Sequence, residues 1–221
     1  MPTFGFSAFL KLLSINPRPQ RREVRLRLAP TEGGYDFHRS LRIRARRLMA
    51  DESDLETLID EATGLGNPAE ARSVAAGLRQ LDAWRSNNPG RVVAVKGVTY
   101  ESPRGEFKVS FVPDFGYEMD GQKIAIHVWN TSSVELSPRM THAALALVSS
   151  AYAIGERPND VAVLALPEHR LFRLSDVADY SRLAAIVATN LDRLFGDVRD
   201  EIVGPAPPAH IPPSLPRAAD R

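Results

Sequence analysis

Val112-Pro113-Asp114-Phe115 and, a short way on, Lys123-Ile124-Ala125-Ile126-His127-Val128-Trp129-Asn130 form the stretch that decides the fold. Between them, Asp120-Gly121 is a strong signal for a two-residue hairpin turn, because both residues tolerate a positive φ. The stretch is therefore predicted to be two antiparallel strands. Since side chains two residues apart on a strand point to the same face, we expect His127 and Trp129 to share one face of the sheet.

The segments around this hairpin predict a mixed sheet flanked by helices. Residues 92–100 are rich in β-forming residues and residues 107–112 alternate, so together with the strand at 123–130 they predict an antiparallel meander of three strands. The fold class is therefore α+β, with an α/β core. The elements predicted after the meander are a helix over 138–155, a strand buried on both faces over 160–166, an edge strand over 171–174 and a helix over 176–195 that extends toward Val203.

With this element order, the Pro113-Asp114 pair and the hairpin, residues 91–195 resemble the PD-(D/E)XK nuclease-like superfamily. The core of that superfamily is a restriction-endonuclease-like mixed sheet. In it, a Pro-Asp pair precedes a hairpin, and the next strand carries an acid, any residue and a lysine. The resemblance implies that Asp114 matches the family aspartate, that His127 stands where the second acid belongs, and that Trp129 stands where the lysine belongs.

This replacement bears on catalysis. In an active member, two carboxylates hold a divalent metal that activates water, and the lysine offsets charge on the scissile phosphate. Imidazole is a poor substitute for a carboxylate on Mg²⁺, and indole carries no positive charge. We therefore expect no cofactor and an inactive site, with Asp114 and His127 as remnants of the catalytic positions. If the protein is active, Asp114 would bind Mg²⁺ or Mn²⁺.

Other interpretations of these residues stay open. His127 is also explained as a hydrogen-bonded core histidine, Trp129 as a residue that fills space, and Asp114 as a brace for the hairpin. A rearranged metal site remains an alternative, in which the missing acid or cation comes from another position on the predicted strands. The candidates for that replacement are Glu118, Lys108 and Lys123.

The chain before residue 90 is predicted to be helical and rich in arginine. Between Lys11 and Arg47 there are eleven basic residues and three acidic ones, although the whole chain has a net charge of only +1. Such a concentration of guanidinium groups suits a phosphate backbone, while a solvated face or ion pairs within the chain would explain it equally well. The predicted nucleic-acid contacts are Arg21, Arg22, Arg25, Arg42, Arg46 and Arg47.

Helix signals divide this region. The predicted helices cover 7–14, 20–28, a segment capped by Asp36 that runs to Met49, a segment after a Ser53–Glu56 capping box, and a segment capped by Asn67 with Pro68 in its first turn. The predicted organisation is thus a helical region over 1–90, a nuclease-like core over 91–203 and a Pro-rich tail over 204–221. The tail holds six prolines and is predicted to be disordered or polyproline-like.

The amino-acid composition narrows the possible classes of protein and of binding site. The chain has no cysteine, which excludes disulfides and a thiolate metal site. No stretch is long enough to span a membrane, and the apolar residues 1–15 lack the basic start and cleavage site of a signal peptide. The sequence therefore predicts a cytoplasmic protein with no membrane partner. It is expected to bind DNA or RNA, or a nucleic-acid-processing complex, and the alternative is a scaffold that docks proteins through the N-terminal helix or the tail.

Overall fold

The computed structural model describes residues 1–29 and 37–204. Asp36, predicted as a helix cap, and the Pro-rich segment from residue 205 onward lie outside these ranges. Along the described chain, a short 3-10 turn at Leu174–Asp176 precedes the last helix. The elements are β1 (Thr3–Gly5), α1 (Phe6–Ser14), α2 (Pro17–Leu28), α3 (Arg39–Met49), α4 (Leu55–Thr63), α5 (Pro68–Asn87), β2 (Arg91–Val93), β3 (Val98–Glu101), β4 (Lys108–Phe111), β5 (Phe115–Met119), β6 (Gln122–Trp129), α6 (Pro138–Ser150), β7 (Asp160–Ala165), β8 (Arg170–Arg173) and α7 (Ser181–Val203).

The central sheet has five strands in the order β2-β5-β6-β7-β8. β2, β5 and β6 are antiparallel, and β6 pairs in parallel with β7 after the chain has crossed through α6. The turn between β5 and β6 is the predicted one, because Met119 pairs with Gln122 and leaves Asp120-Gly121 as the loop, both with positive φ. The mixed sheet flanked by helices is thereby confirmed as an α+β architecture.

The predicted three-strand meander is wrong in detail. Residues 92–100 do not form one strand, because β2 belongs to the central sheet whereas β3 pairs with β4 in a second sheet. Gly97 lies between them at a close crossing, where an added Cβ would come within 2.9 Å of the Phe111 carbonyl oxygen. The strand predicted over 107–112 ends at Phe111, and residues 112–114, predicted to continue it, separate β4 from β5. Pro113 has no N–H to donate to a ladder.

The second sheet has three strands in the order β1-β4-β3. β1 was not predicted, and it pairs in parallel with β4, so that Phe4 lies opposite Val109. Three residues are too short to show an alternating pattern, so this strand left no signal in the sequence. The pairing places the start of α1 against the strands that follow residue 90.

Two hydrophobic clusters cover the two faces of the central sheet. On one face, α3, α4 and α5 pack on Ile124, Ile126 and Val128 of β6. On the other face, α1, α6 and α7 enclose the side of β6 that carries Ala125 and Trp129. Each cluster combines residues from before and after residue 90. Within the described residues, no helix is both long enough and apolar enough to cross a membrane.

Of two predicted helix N-caps, the one at α5 is confirmed and the one at α4 is wrong. Asn67 caps α5 as predicted, and its side chain accepts hydrogen bonds from the main-chain nitrogens of Ala69 and Glu70. The cap of α4 is Asp54 and not Ser53, since the Asp54 carboxylate accepts a hydrogen bond from the Thr57 nitrogen at 3.0 Å. The last helix begins at Ser181 rather than near Asp176, and it continues through Gly196 to Val203.

Candidate functional site

Asp114 lies immediately before β5, at the edge of the paired region. Its main-chain nitrogen donates to the Ile126 carbonyl at 2.8 Å, which continues the β5–β6 ladder and places its side chain on the same face as His127. The residue is only 1% exposed, and its Oδ2 accepts a hydrogen bond from the main-chain nitrogen of Val128 at 2.7 Å. The carboxylate is therefore an internal part of the sheet.

His127 stands next to Asp114 and is also buried. Its Nδ1 lies 3.1 Å from Asp114 Oδ2, and its Nε2 lies 2.7 Å from the hydroxyl oxygen of Ser7. The imidazole meets the rings of Phe6 and Phe111, with centroids 5.2 and 6.5 Å away. The hydrogen bond between Nε2 and Ser7 orients the ring, and Nδ1 lies beside the carboxylate without forming a hydrogen bond.

Two arginines of α3 reach the same place from the other side. Arg42 Nε lies 3.7 Å from Asp114 Oδ1. Arg46 donates from Nε to the Asp114 carbonyl oxygen at 2.7 Å and from Nη2 to the Pro113 carbonyl oxygen at 3.2 Å. Two guanidinium groups thus lie beside the Pro113–Asp114 segment, and both come from a helix of the N-terminal region.

A divalent metal does not fit these residues. The Asp114 carboxylate already faces the Val128 nitrogen, the His127 imidazole and the Arg42 guanidinium. Within residues 1–29 and 37–204, no group of three or more His, Asp or Glu side chains is arranged to hold a metal ion. Trp129, on the His127 side of β6, is 2% exposed and occupies the interior.

The neighbouring residues that were candidates for rebuilding a metal site are placed elsewhere. Glu118 pairs with Arg91 across β2 and β5, with Arg91 Nη2 at 2.9 Å from Glu118 Oε2. Lys108 pairs with Glu101 at 2.9 Å in the three-stranded sheet. Lys123 is exposed, in the first half of β6. None of the three forms a hydrogen bond or ion pair with Asp114 or His127.

The remaining arginines predicted to contact nucleic acid have mostly acidic neighbours. Arg21 and Arg25 of α2 both pair with Glu201 of α7, and the hydrogen bond from Arg21 lowers the pKa of Glu201. Arg47 pairs with Glu61, whose pKa its hydrogen bond lowers in the same way. Arg22 is exposed and forms no ion pair with any of the described residues. Of the six, only Arg42 and Arg46 lie at the Asp114 site.

Sequence reasoning missed Ser7. It is half-buried in the first turn of α1 and reaches His127 across a separation of 120 residues. No local motif marks it, because the contact arises from the unpredicted pairing of β1 with β4. The apolar face of α1, predicted as a possible docking element, is occupied within the chain itself: Phe6, Phe9, Leu10 and Leu12 are all buried in the core.

Comparison with models of known protein families and with curated proteins found no match to this chain.

Proposed function

We propose that this chain is a nuclease-fold protein that has lost metal-dependent cleavage and binds the phosphate backbone of DNA or RNA. The proposed interface is the exposed side of α3 beside Asp114, formed by Arg39, Arg42 and Arg46, and we call it the α3 arginine edge. The observation that carries the proposal is the contact of Arg42 and Arg46 with the Pro113–Asp114 segment.

Strand order supports the fold part of this proposal. An antiparallel β2-β5-β6 unit, a crossing helix and a strand parallel to β6 is the order expected for a nuclease-like core. In such a core the scissile phosphate lies beside the aspartate that begins the second core strand, which here is Asp114. An arginine edge at that place would meet the phosphates where an active relative binds its substrate.

Charge at the site supports the loss of cleavage. A metal needs free carboxylate oxygens, and a guanidinium beside Asp114 competes with it for the same negative charge. Guanidinium groups on an exposed helix still bind phosphate, since they release counterions from a polyanion without any metal. Arg39 and Arg46 are exposed, so their side chains are accessible to a ligand.

Binding assays at several salt concentrations test the proposal. The affinity of the wild-type protein for single- and double-stranded DNA and RNA oligonucleotides is measured by fluorescence anisotropy from low to moderate salt. We expect binding at low salt that weakens steeply as salt rises. In the double variant Arg39→Ala and Arg46→Ala, the slope of log K against log salt should become shallower by about two, because each phosphate contact contributes about one.

A matched control is Arg182→Ala, which removes one exposed positive charge from α7. It should leave binding nearly unchanged. Absence of binding by the wild-type protein at low salt would overturn the proposal. If the control and the α3 variant lose the same binding affinity per positive charge removed, the α3 arginine edge is not the interface.

A further inference from the structure

Ser7, His127 and Asp114 form a continuous chain of polar contacts. Ser7 Oγ lies 2.7 Å from His127 Nε2, and His127 Nδ1 lies 3.1 Å from Asp114 Oδ2. We propose that these three residues are a second, metal-independent site in which Ser7 is an activated nucleophile for carboxylic esters. This site does not depend on nucleic-acid binding and stands apart from the function proposed above.

Each residue occupies the place that this chemistry requires. A serine becomes nucleophilic when a neighbouring imidazole accepts its proton, and a carboxylate on the other ring nitrogen holds the imidazole in the correct tautomer. Here Nδ1 lies 3.1 Å from Asp114 Oδ2 without the alignment of a hydrogen bond, and the negative charge of the carboxylate favours the tautomer with its proton on Nδ1. Nε2 is then the acceptor, and it is the atom that faces the Ser7 hydroxyl.

The supporting groups hold this arrangement in place. Asp114 is 1% exposed and is held by the Val128 nitrogen, so its position is set by the sheet itself. The His127 ring is 4% exposed and lies edge-on to Phe6, at an interplanar angle of 82°. A buried aspartate behind the imidazole is the arrangement of a hydrolase triad, and Ser7, which is half-buried, is the member nearest to solvent.

Gly5, two residues before Ser7, borders open space at the start of α1. Gly5 is exposed, and a Cβ added there would meet no heavy atom within 4 Å outside its chain neighbours. Gly5 is also the N-cap of α1, and no side chain caps the first turn of the helix. The first main-chain N–H groups of a helix have no partner within it, so at this end they can stabilise an oxyanion that forms beside Ser7.

The reaction is balanced without any co-reactant other than water. Ser7 Oγ forms a bond to the acyl carbon of the ester while its proton passes to His127 Nε2. The ester C–O bond then breaks, and the imidazolium returns the proton to the departing alcohol. Water adds to the acyl-serine with the help of the same imidazole, which releases a carboxylic acid and restores Ser7.

An activated fluorophosphonate probe tests whether Ser7 is nucleophilic. The folded, full-length protein is incubated with the probe and digested, and the modified peptide is identified by mass spectrometry. We expect modification of Ser7 and not of Ser14, which lies on the same helix and whose hydroxyl donates to the Leu10 carbonyl. The probe-reactive protein should also release nitrophenol from p-nitrophenyl acetate and butyrate.

Three variants test whether the reactivity of Ser7 depends on His127 or only on its accessibility. Ser7→Ala should abolish both labelling and ester cleavage, and Ser14→Ala should change neither. His127→Gln should slow labelling by about 100-fold, which is a typical contribution of a general base. Thermal melting of each variant shows whether it is folded.

Two results would overturn the proposal. The first is the absence of Ser7 labelling in folded wild-type protein. The second is labelling of Ser7 at the wild-type rate in folded His127→Gln. If His127→Gln does not fold, Asp114→Asn replaces it in the comparison, because the amide keeps the size of the carboxylate while removing its charge.

Discussion

Asp114 and Val128 are joined across the β5–β6 pair by a hydrogen bond from the Val128 main-chain nitrogen to Asp114 Oδ2, at 2.7 Å. The same oxygen lies 3.1 Å from His127 Nδ1, and the other carboxylate oxygen faces Arg42. One buried side chain therefore satisfies a strand nitrogen and compensates positive charge. Its loss affects the sheet, the imidazole and the guanidinium at once.

Replacing Asp114 should destabilise the protein. We expect Asp114→Ala to lower the free energy of unfolding by about 1–3 kcal/mol, because it leaves the buried Val128 nitrogen without its acceptor. Asp114→Asn should cost less, since the amide oxygen still accepts from the Val128 nitrogen. Urea denaturation of both variants measures the difference. Equal stability of Asp114→Ala and the wild type would show that the carboxylate does not support the sheet.

Divalent metals should not stabilise the protein. A ligand that binds only the folded state raises the unfolding midpoint. At this site Asp114 Oδ2 accepts from the Val128 nitrogen, and the Arg42 guanidinium, 3.7 Å from Oδ1, repels a cation. Thermal melts with Mg²⁺, with Mn²⁺ and with a chelator should therefore coincide. A metal-dependent rise in the midpoint that disappears in Asp114→Ala, together with cleavage of DNA or RNA, would instead support the rearranged nuclease.

Glu201 restrains two arginines of α2, so its removal should strengthen polyanion binding. In Glu201→Gln, Arg21 and Arg25 lose their partner and become free to contact phosphate. We expect tighter binding at low salt and a slope of log K against log salt steeper by about one to two. Asp197→Asn, on the same helix, is the control because it removes one exposed negative charge without releasing an arginine. Equal effects of the two variants would indicate net charge alone.

Tyr152 makes stability dependent on pH in the alkaline range. Burial raises its pKa from 10.0 to about 12, and its hydroxyl donates to the Lys96 carbonyl at 2.8 Å. The phenol is neutral in both states below the pKa of the unfolded chain. As pH rises from about 10 to 12, the unfolded state loses the proton first, and the protein should become less stable. Chemical denaturation across this range should show a smaller loss in Tyr152→Phe, and an identical loss would assign the effect to other groups.

Gly116 lies at a close approach of β5 to β2. A Cβ at this position would come within 2.3 Å of the Val93 carbonyl oxygen and 2.7 Å of a Val95 methyl group. Gly116→Ala should therefore cost about 1–3 kcal/mol or more, since the strands must separate. Gly66→Ala is the matched control, because a Cβ there meets nothing within 4 Å. Urea denaturation of the two variants tests this, and similar midpoints would contradict it.

The sequence predicted those elements whose structure depends on residues close together in the chain. Asn67 and Pro68 marked the start of α5, because a cap side chain and a proline act on the first turn of their own helix. Asp120-Gly121 marked the β5–β6 turn for a similar reason, since both residues adopt a positive φ. The apolar run that became β7 was recognised because it is buried along its whole length.

Features that depend on distant partners were not predictable in this way. Residues 91–101 have continuous β propensity, and nothing in them indicates that β2 and β3 join different sheets. Asp114 and His127 were singled out by their place around the hairpin, and the structure brings them together. Ser7 and Arg42 join them from other elements, and no single-sequence pattern connects residues so far apart.

The parallel pairing of Thr3–Gly5 with Lys108–Phe111 has a consequence for synthesis of the protein. β1 and the aromatic side chains that follow it emerge from the ribosome long before their partner strand exists. Pairing between such distant segments forms slowly, and the unpaired segment stays exposed in the meantime. Phe4, Phe6 and Phe9 are therefore the part of the nascent chain that we expect a chaperone to shield until β4 has been translated.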